Sequence, residues 1–392
     1  MVMTGAAGAG PAKPQPRLPR AFRTVPGARW HRLCSSRAKS EEHDGIAWGI
    51  CGAGRGAIRS DIGPLRKDTG GQEPLTLRCQ DLGVDAGIAG AGVHGRQQRE
   101  DGMSDTTPAL DEAFERMAAA SFELPNGFVN HGAMACEALA VLDCTDDIDS
   151  WARRFARAGG ASVDPVVPAG FEWRQALGDY HRLPEWIGYF TQAIDDDGWP
   201  AVVTAWVPRL MPALATALFH GAIRTAHAVR AVDAVDTPPR RGELARALGY
   251  WAARYRTGQP ATPLPQAGDL RMAVIQAAAD GARRYLARPD IFHLHGVTGA
   301  MAVEILTAHI PANDGAAALA HVLAEHAALY AATEPVTRPH PASPPGSELT
   351  VAAVRSLDPH QVKLVEACQR GHAATGDPAF AAAAETVTGL HA

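Results

Sequence analysis

Phe219-His220-Gly221-Ala222-Ile223-Arg224-Thr225-Ala226-His227-Ala228-Val229-Arg230 is the stretch on which the reading of this chain turns. Rich in alanine, without proline and without two-residue alternation, it predicts a helix. His220 and His227 are seven positions apart. That is about 700° of helical rotation, so the two imidazoles fall on one face. The same texture, rich in Ala and Leu and cut by Pro and Gly at helix-length intervals, runs from Pro108 toward the C-terminus. It predicts helices over residues 110–120, 131–142, 147–158, 180–195, 199–232, 241–255, 268–286, 297–309, 313–331 and 359–374. The fold class is therefore all-α, a single large helical domain. Pro200 and the segment from Pro208 to Pro212 are expected to break or kink the fifth helix. Residues 334–347 hold five prolines and are expected to cross the surface as a loop, a candidate lid.

Outward from this body the texture fails. Residues 1–102 carry 15 Lys and Arg against 10 Asp and Glu, whereas residues 103–392 carry 22 against 32. The first segment has neither helical nor strand periodicity, so it cannot bury enough apolar surface to offset its ordering entropy. Residues 1–102 are read as a disordered or upstream extension with Met103 as the natural start, and residues 103–392 as the helical domain. Residues 1–40 contain no acid and many arginines, yet they lack an amphipathic period and an apolar signal core, so no targeting role is assigned. Gly90-Ala-Gly92-Val-His-Gly95 and Gly52-Ala-Gly54-Arg-Gly56-Ala57 imitate a dinucleotide fingerprint but lack the strand, helix and distal acid that it needs.

An acidic body without a basic, aromatic-studded face excludes nucleic acid as a partner. Six cysteines with no C-x-x-C pair read as reduced thiols of an intracellular, cytoplasmic protein. No apolar run reaches the roughly 18 to 20 residues of a membrane span, so no membrane partner is expected.

Chemistry shows first in an imbalance. The body holds 21 arginines and one lysine, Lys363. On a solvated surface either cation serves, so the surviving lysine marks a place where guanidinium cannot substitute. A buried ε-amine can lose its proton and act as a nucleophile, a Schiff-base former or an acceptor of CO2, giving a carbamate. Survival by chance is the competing explanation. Thirteen of the 16 histidines also lie in the body. His131 follows Asn130 at a helix start, His220 and His227 share a stripe, His295 opens another helix, and His360 and Lys363 stand at i, i+3. Imidazoles converging from separate helices are how helical bundles build metal sites. His293 stands two positions from His295, so joint use depends on the local backbone; His321 and His326, five apart, are read as ordinary helix residues. Trp173, Trp186, Trp199, Trp206, Tyr189 and Tyr250 are read as core.

Asn130-His131-Gly-Ala-Met-Ala-Cys-Glu-Ala-Leu139, the His220 to His227 segment with Glu243-Leu-Ala-Arg-Ala-Leu248, Phe292-His-Leu-His-Gly-Val-Thr-Gly-Ala300, Asp358-Pro-His-Gln-Val-Lys363 and the tail Gly376-Asp-Pro-Ala-Phe-Ala-Ala-Ala-Ala384 stand in an order and spacing that resemble the questin oxidase-like family. The resemblance runs along most of residues 120–385. It implies an oxidoreductase of aromatic polyketide metabolism, an oxygenase that opens or oxygenates an anthraquinone-like ring. The reaction would be a Baeyer–Villiger-type oxidation or a ring-cleaving dioxygenation, with the aromatic small molecule and O2 as partners. It also implies non-haem Fe(II) held by several histidines and a carboxylated lysine, with NADPH as an external reductant. Carried over by motif, the ligands are His131, His220, His295 and Lys363. The family tends to have a second histidine four residues after the equivalent of His220, where this chain has Arg224. His227 is one replacement, and His360 is the other, or a support for Lys363. Arg224 is the candidate catalytic partner of a phenolate or carboxylate, against the alternative of a helix-surface salt bridge. Two other functions remain in play: a metal-dependent hydrolase with a carbamylated lysine, and a non-catalytic helical small-molecule binder.

Overall fold

The computed structural model describes residues 107–390 apart from 168, 265–267 and 340–343. The described chain is all-α. Its helices are α1 (Thr107–Ala118), α2 (Gly132–Val141), α3 (Thr145–Ala158), α4 (Trp173–Ala176), α5 (Leu183–Asp197), α6 (Trp199–Leu210), α7 (His220–Ala234), α8 (Pro238–Ala253), α9 (Leu270–Ala287), α10 (Ile291–Thr307), α11 (Ala312–Leu329), α12 (Ser347–Ser356), α13 (Pro359–Thr375) and α14 (Pro378–Thr388). Among the described residues the sole β feature is an isolated bridge between Glu123 and Val129.

Composition decides which helices lie inside. α10 carries a single formal charge, Glu304, and is buried without a break from His293 to Glu304. α2 is buried from Gly132 to Leu139. A helix apolar on all sides belongs at the centre, whereas α3, with Ile148, Trp151, Ala152 and Phe155 inward and acids and arginines outward, covers a flank. α10 packs against α7, α9, α11 and α13, and α7 lies against α2, α8 and α10. The elements α2, α7, α10 and α13 thus form the middle of the bundle.

The predicted helix over 199–232 is two helices. α6 ends at Leu210, a 3-10 turn over Met211–Ala213 follows, and Ala217, Leu218 and Phe219 take left-handed φ values of 49°, 55° and 65° before α7 begins at His220. Three non-glycine residues in that region store strain, so the surrounding packing must hold them. The predicted helix over 297–309 begins earlier, at Ile291, because the Asp290 carboxylate caps it by accepting from the N–H of Phe292 and of His293 at 3.0 and 2.9 Å. His293 and His295 therefore lie on one helix and face different ways. α12 and α14 were not among the predicted helices; α14 starts at Pro378 after an Asp377 cap. The described parts of 334–346 have no regular structure. The boundary at 102/103, the Met103 start and both glycine strings lie outside the described residues.

α7 and α10 approach closely because Gly299 has no side chain. A Cβ there would stand 2.7 Å from Phe219 Cδ1. Gly299→Ala is expected to cost about 1–3 kcal/mol and to push the turn that launches His220. By contrast Gly242→Ala, which meets nothing within 4 Å, is expected to be neutral or stabilising. Denaturant midpoints of the two variants check the difference.

Candidate metal centre

Four imidazoles stand at helix beginnings. His131 immediately precedes α2, His220 is the first residue of α7, His295 the fifth of α10 and His360 the second of α13. Each start is fixed by its own device. Buried Asn130 donates from Nδ2 to the carbonyls of Ser121 and Phe155, each at 3.2 Å, and accepts the Gly132 N–H at 3.0 Å. The left-handed turn at Ala217–Phe219 sets His220, the Asp290 cap sets α10, and Asp358 accepts the His360 N–H at 2.9 Å. Four helix N-termini, each with partial positive charge, therefore come together.

One ligand atom from each of His131, His220, His295 and His360 lies within 4.8 Å of every other. His131 Nε2 is 2.7 Å from His220 Nε2, and His220 Nε2 is 3.2 Å from His295 Nε2. Proton positions follow from the partners on the far side of each ring. His220 Nδ1 bonds to the Ala217 carbonyl, His295 Nδ1 to the Ile291 carbonyl at 2.7 Å, and His360 Nδ1 to Asp358 Oδ1 at 2.9 Å. These oxygens accept, so each Nδ1 carries a proton, and in a neutral ring Nε2 is a bare lone pair. The rings are neutral because burial holds His131, His220 and His295 well below the usual imidazole range, reinforced by Lys363 and neighbouring imidazoles.

Two lone pairs aimed at each other across 3.2 Å repel. A cation between them turns the contact into two bonds. Two imidazoles on one ion, with bonds of about 2.1 Å at roughly right angles, have their nitrogens about 3 Å apart. The donor set thus fits a transition-metal ion.

Lys363 lies one turn beyond His360 on α13, is 1% exposed, and its Nζ has no hydrogen-bond partner. Burial lowers its pKa to about 7, with only Asp358 opposing. Its charge acts on all four imidazoles. A buried amine with no partner, beside the bare nitrogens of His220, His295 and His360, is half-neutral near pH 7 and hence nucleophilic.

His227 is not part of the group. It shares a face with His220, but seven residues of helix rise about 10 Å, too far for one ion. Its Nδ1 instead donates to Glu137 Oε2 at 2.5 Å, and its ring lines a small cavity with Lys363, Thr298 and Glu366. His360 takes the fourth place. Arg224 is committed inside the bundle. It is neither a surface salt bridge nor a free anion receptor, because its Nε and Nη2 bond Glu243 at 2.6 and 2.8 Å with both side chains buried, while its guanidinium lies 4.5 Å from the Phe122 ring centre. His293 turns away from the group and bonds Asp290 at 2.7 Å and Thr333 Oγ1 at 2.9 Å. His321 and His326 lie on α11, outside the group.

Sequence reasoning missed the charges behind the imidazoles. Arg230 of α7 pairs with Glu137 of α2 at 2.6 Å and Glu366 of α13 at 2.5 Å. Arg370 of α13 pairs with Glu366 at 3.0 Å and with Glu304 of α10. One chain of ion pairs thus joins all four histidine-bearing helices. Burial raises the Glu366 carboxyl, but Arg230 and Arg370 outweigh it and hold it well below the carboxylate range. The signal available was an acid inside an otherwise apolar helix, Glu137 in α2 and Glu304 in α10. Among the described residues no helix is long and apolar enough to cross a membrane.

Two substitutions test these roles. Arg224→Met strands the Glu243 carboxylate and is expected to cost about 3–5 kcal/mol, with Arg224→Met/Glu243→Leu recovering most of it in a thermal melt. In metal- and bicarbonate-free buffer, Lys363 binds a proton in the unfolded chain up to its ordinary 10.5 but in the folded chain only to about 7. Stability therefore rises with pH between those values. Lys363→Met is expected to remove that slope and to stabilise the chain at neutral pH by on the order of 3 kcal/mol, read from denaturant midpoints across pH. No protein-family model and no curated protein matches this chain.

Proposed function

We propose that the chain is a non-haem iron oxygenase that opens or oxygenates an electron-rich, anthraquinone-like ring, with His131, His220, His295, His360 and a carboxylated Lys363 holding the metal. The observation that carries this reading is the pair of bare imidazole nitrogens of His220 and His295, 3.2 Å apart, beside a buried lysine amine with no partner. Four imidazoles already fill a closed tetrahedral zinc site, and a fifth, anionic donor exceeds it; such a set suits iron better than zinc. That preference separates the oxygenase from the hydrolase reading. The resemblance to the questin oxidase-like family supplies the ring chemistry.

Ferrous iron, when bound, supplies the redox chemistry that lets O2 react with the ring. The chain's own part is positional and electrostatic. Ala217, Ile291 and Asp358 fix the protons of their imidazoles on Nδ1 and keep Nε2 open. The converging helix N-termini favour a phenolate over a phenol at the site. Burial excludes water from three of the four histidines and from Lys363. Carboxylation of the neutral Lys363 amine by CO2 would form an N–C bond, release one amine proton to solvent and leave an anionic carbamate next to the donor set. Arg224, held by Glu243, supports the helix that presents His220. Reducing equivalents, where the reaction needs them, come from an external donor such as NADPH.

Anaerobic loading with Fe(II), followed by metal analysis, is expected to give near-stoichiometric iron, and labelled bicarbonate a carbamate resonance assigned to Lys363. Lys363→Arg keeps the charge but cannot be carboxylated; it is expected to lose both the resonance and the bound iron. Stoichiometric zinc with no iron would move the site to the hydrolase reading, and no metal at all to the small-molecule binder. Retained iron and activity in the Arg variant would remove Lys363 from the ligand set.

A further inference from the structure

The unpartnered amine of Lys363 belongs to a side chain that lines a cavity between α7, α10 and α13. Counted from the clustered histidine of each helix, the lining stands 6 and 7 positions along α7, 3 to 10 along α10 and 3 to 10 along α13. At 1.5 Å of rise per residue the cavity begins about 5 Å from the histidines and ends about 15 Å from them, so it leads away along the bundle. Its void arises because each helix offers an alanine at one level: Ala226, Ala302 and Ala367, at positions 6, 7 and 7. Lys363, 1% exposed, forms the inner end, and the partly exposed Ile305 and Arg370 form the outer end. Arg370 closes that end. Its Nε donates to Glu366 at 3.0 Å and its Nη1 to the Met301 carbonyl at 3.2 Å, and it also pairs with Glu304.

Size decides what such a cavity admits. Its volume, about 10 Å³ for the centre of a water-sized sphere, holds one water molecule or a slender molecule of similar width. An uncharged ε-amine can condense with a ketone or aldehyde, attack an ester or take up CO2. Organic carbonyl compounds are too broad for this bore. CO2 is a linear triatomic without net charge, which suits the alanine walls. Bicarbonate is broader, and it would have to shed its hydration beside the Glu366 carboxylate.

We propose that this cavity is the entry site through which CO2-sized molecules reach Lys363, with Ala226, Ala302 and Ala367 setting its bore and Ile305 and Arg370 gating its outer end. The inference rests on the reading of Lys363 as the carboxylated residue and deepens it: the route by which the amine is modified does not pass between the histidines. It selects by width, so the one nucleophilic amine of the bundle is open to a heterocumulene and closed to larger electrophiles.

The test is carbamoylation by cyanate of the folded full chain in metal- and bicarbonate-free buffer at mildly alkaline pH, followed at Lys363 by peptide mass spectrometry. Isocyanic acid is isoelectronic with CO2 and adds without redox change: the Nζ–C bond forms and one amine proton passes to the cyanate nitrogen. The wild type is expected to label, and trinitrobenzenesulfonate, too broad for the cavity, to react at Lys363 at least about a hundredfold more slowly. Ala302→Val fills the bore and is expected to slow cyanate about tenfold, with Ala367→Val in its place should the first variant fail to fold. Ile305→Ala widens the outer end and is expected to speed cyanate without speeding trinitrobenzenesulfonate. Destabilisation alone would speed labelling through helix opening, so it cannot imitate the plug. Wild-type cyanate rates in the valine variants, no labelling of the folded wild type, or trinitrobenzenesulfonate keeping pace with cyanate each overturns the proposal. The carbamate resonance from labelled bicarbonate is expected to grow in the same order of rates, and equal growth in the plugged variants overturns the route as well. If the cyanate series holds and no carbamate forms, the entry site stands and the carboxylated-lysine reading falls.

Discussion

Imidazole nitrogens whose own protons are committed elsewhere are pressed together in the middle of this bundle, and the architecture is arranged around keeping them there. Left alone, such a contact would relax by rotating a ring or by taking up a proton. Both escapes are closed. The carbonyls of Ala217 and Ile291 and the carboxylate of Asp358 pin the rings, and burial opposes imidazolium. The left-handed turn before α7, the Asn130 tether and the two aspartate caps are the local devices that aim the helix starts.

Holding four helix starts at one point also requires the helices to keep their relative rotation. The ion-pair chain from Glu137 through Arg230, Glu366 and Arg370 to Glu304 runs through α2, α7, α13 and α10. Buried ion pairs add little net stability, because desolvation offsets their attraction, but a misregistered helix would strand one of these charges at a cost of several kcal/mol. Apolar packing alone tolerates small slips; this charge pattern does not. It therefore specifies the register on which the histidine geometry rests.

How much of this was legible beforehand follows from what periodicity measures. Alanine-rich texture and the spacing of Pro and Gly give an all-α body, and the Pro208–Pro212 segment locates the break between α6 and α7, though not its left-handed geometry. The four clustered histidines were all candidates, as was the lysine. The choice between His227 and His360 was not legible, because periodicity reports angle around a helix axis and says nothing of neighbouring helices at each level along it. His227 has the right angle at the wrong height. Arg224 was legible as buried or exposed only once α8 placed Glu243 against it. The early start of α10 is signalled by Asp290, because an N-terminal cap is a local feature of the sequence.

One compositional fact acquires a practical meaning in the folded protein. From Met103 to the C-terminus the chain offers a single lysine, and its side chain is sealed inside the bundle beside the imidazoles. A protease that cuts only after lysine therefore finds one peptide bond in the whole helical body, Lys363–Leu364, and it is within reach only when α13 swings away. The rate of that one cut is a clock for the opening of the centre, readable on a gel without any spectroscopic probe.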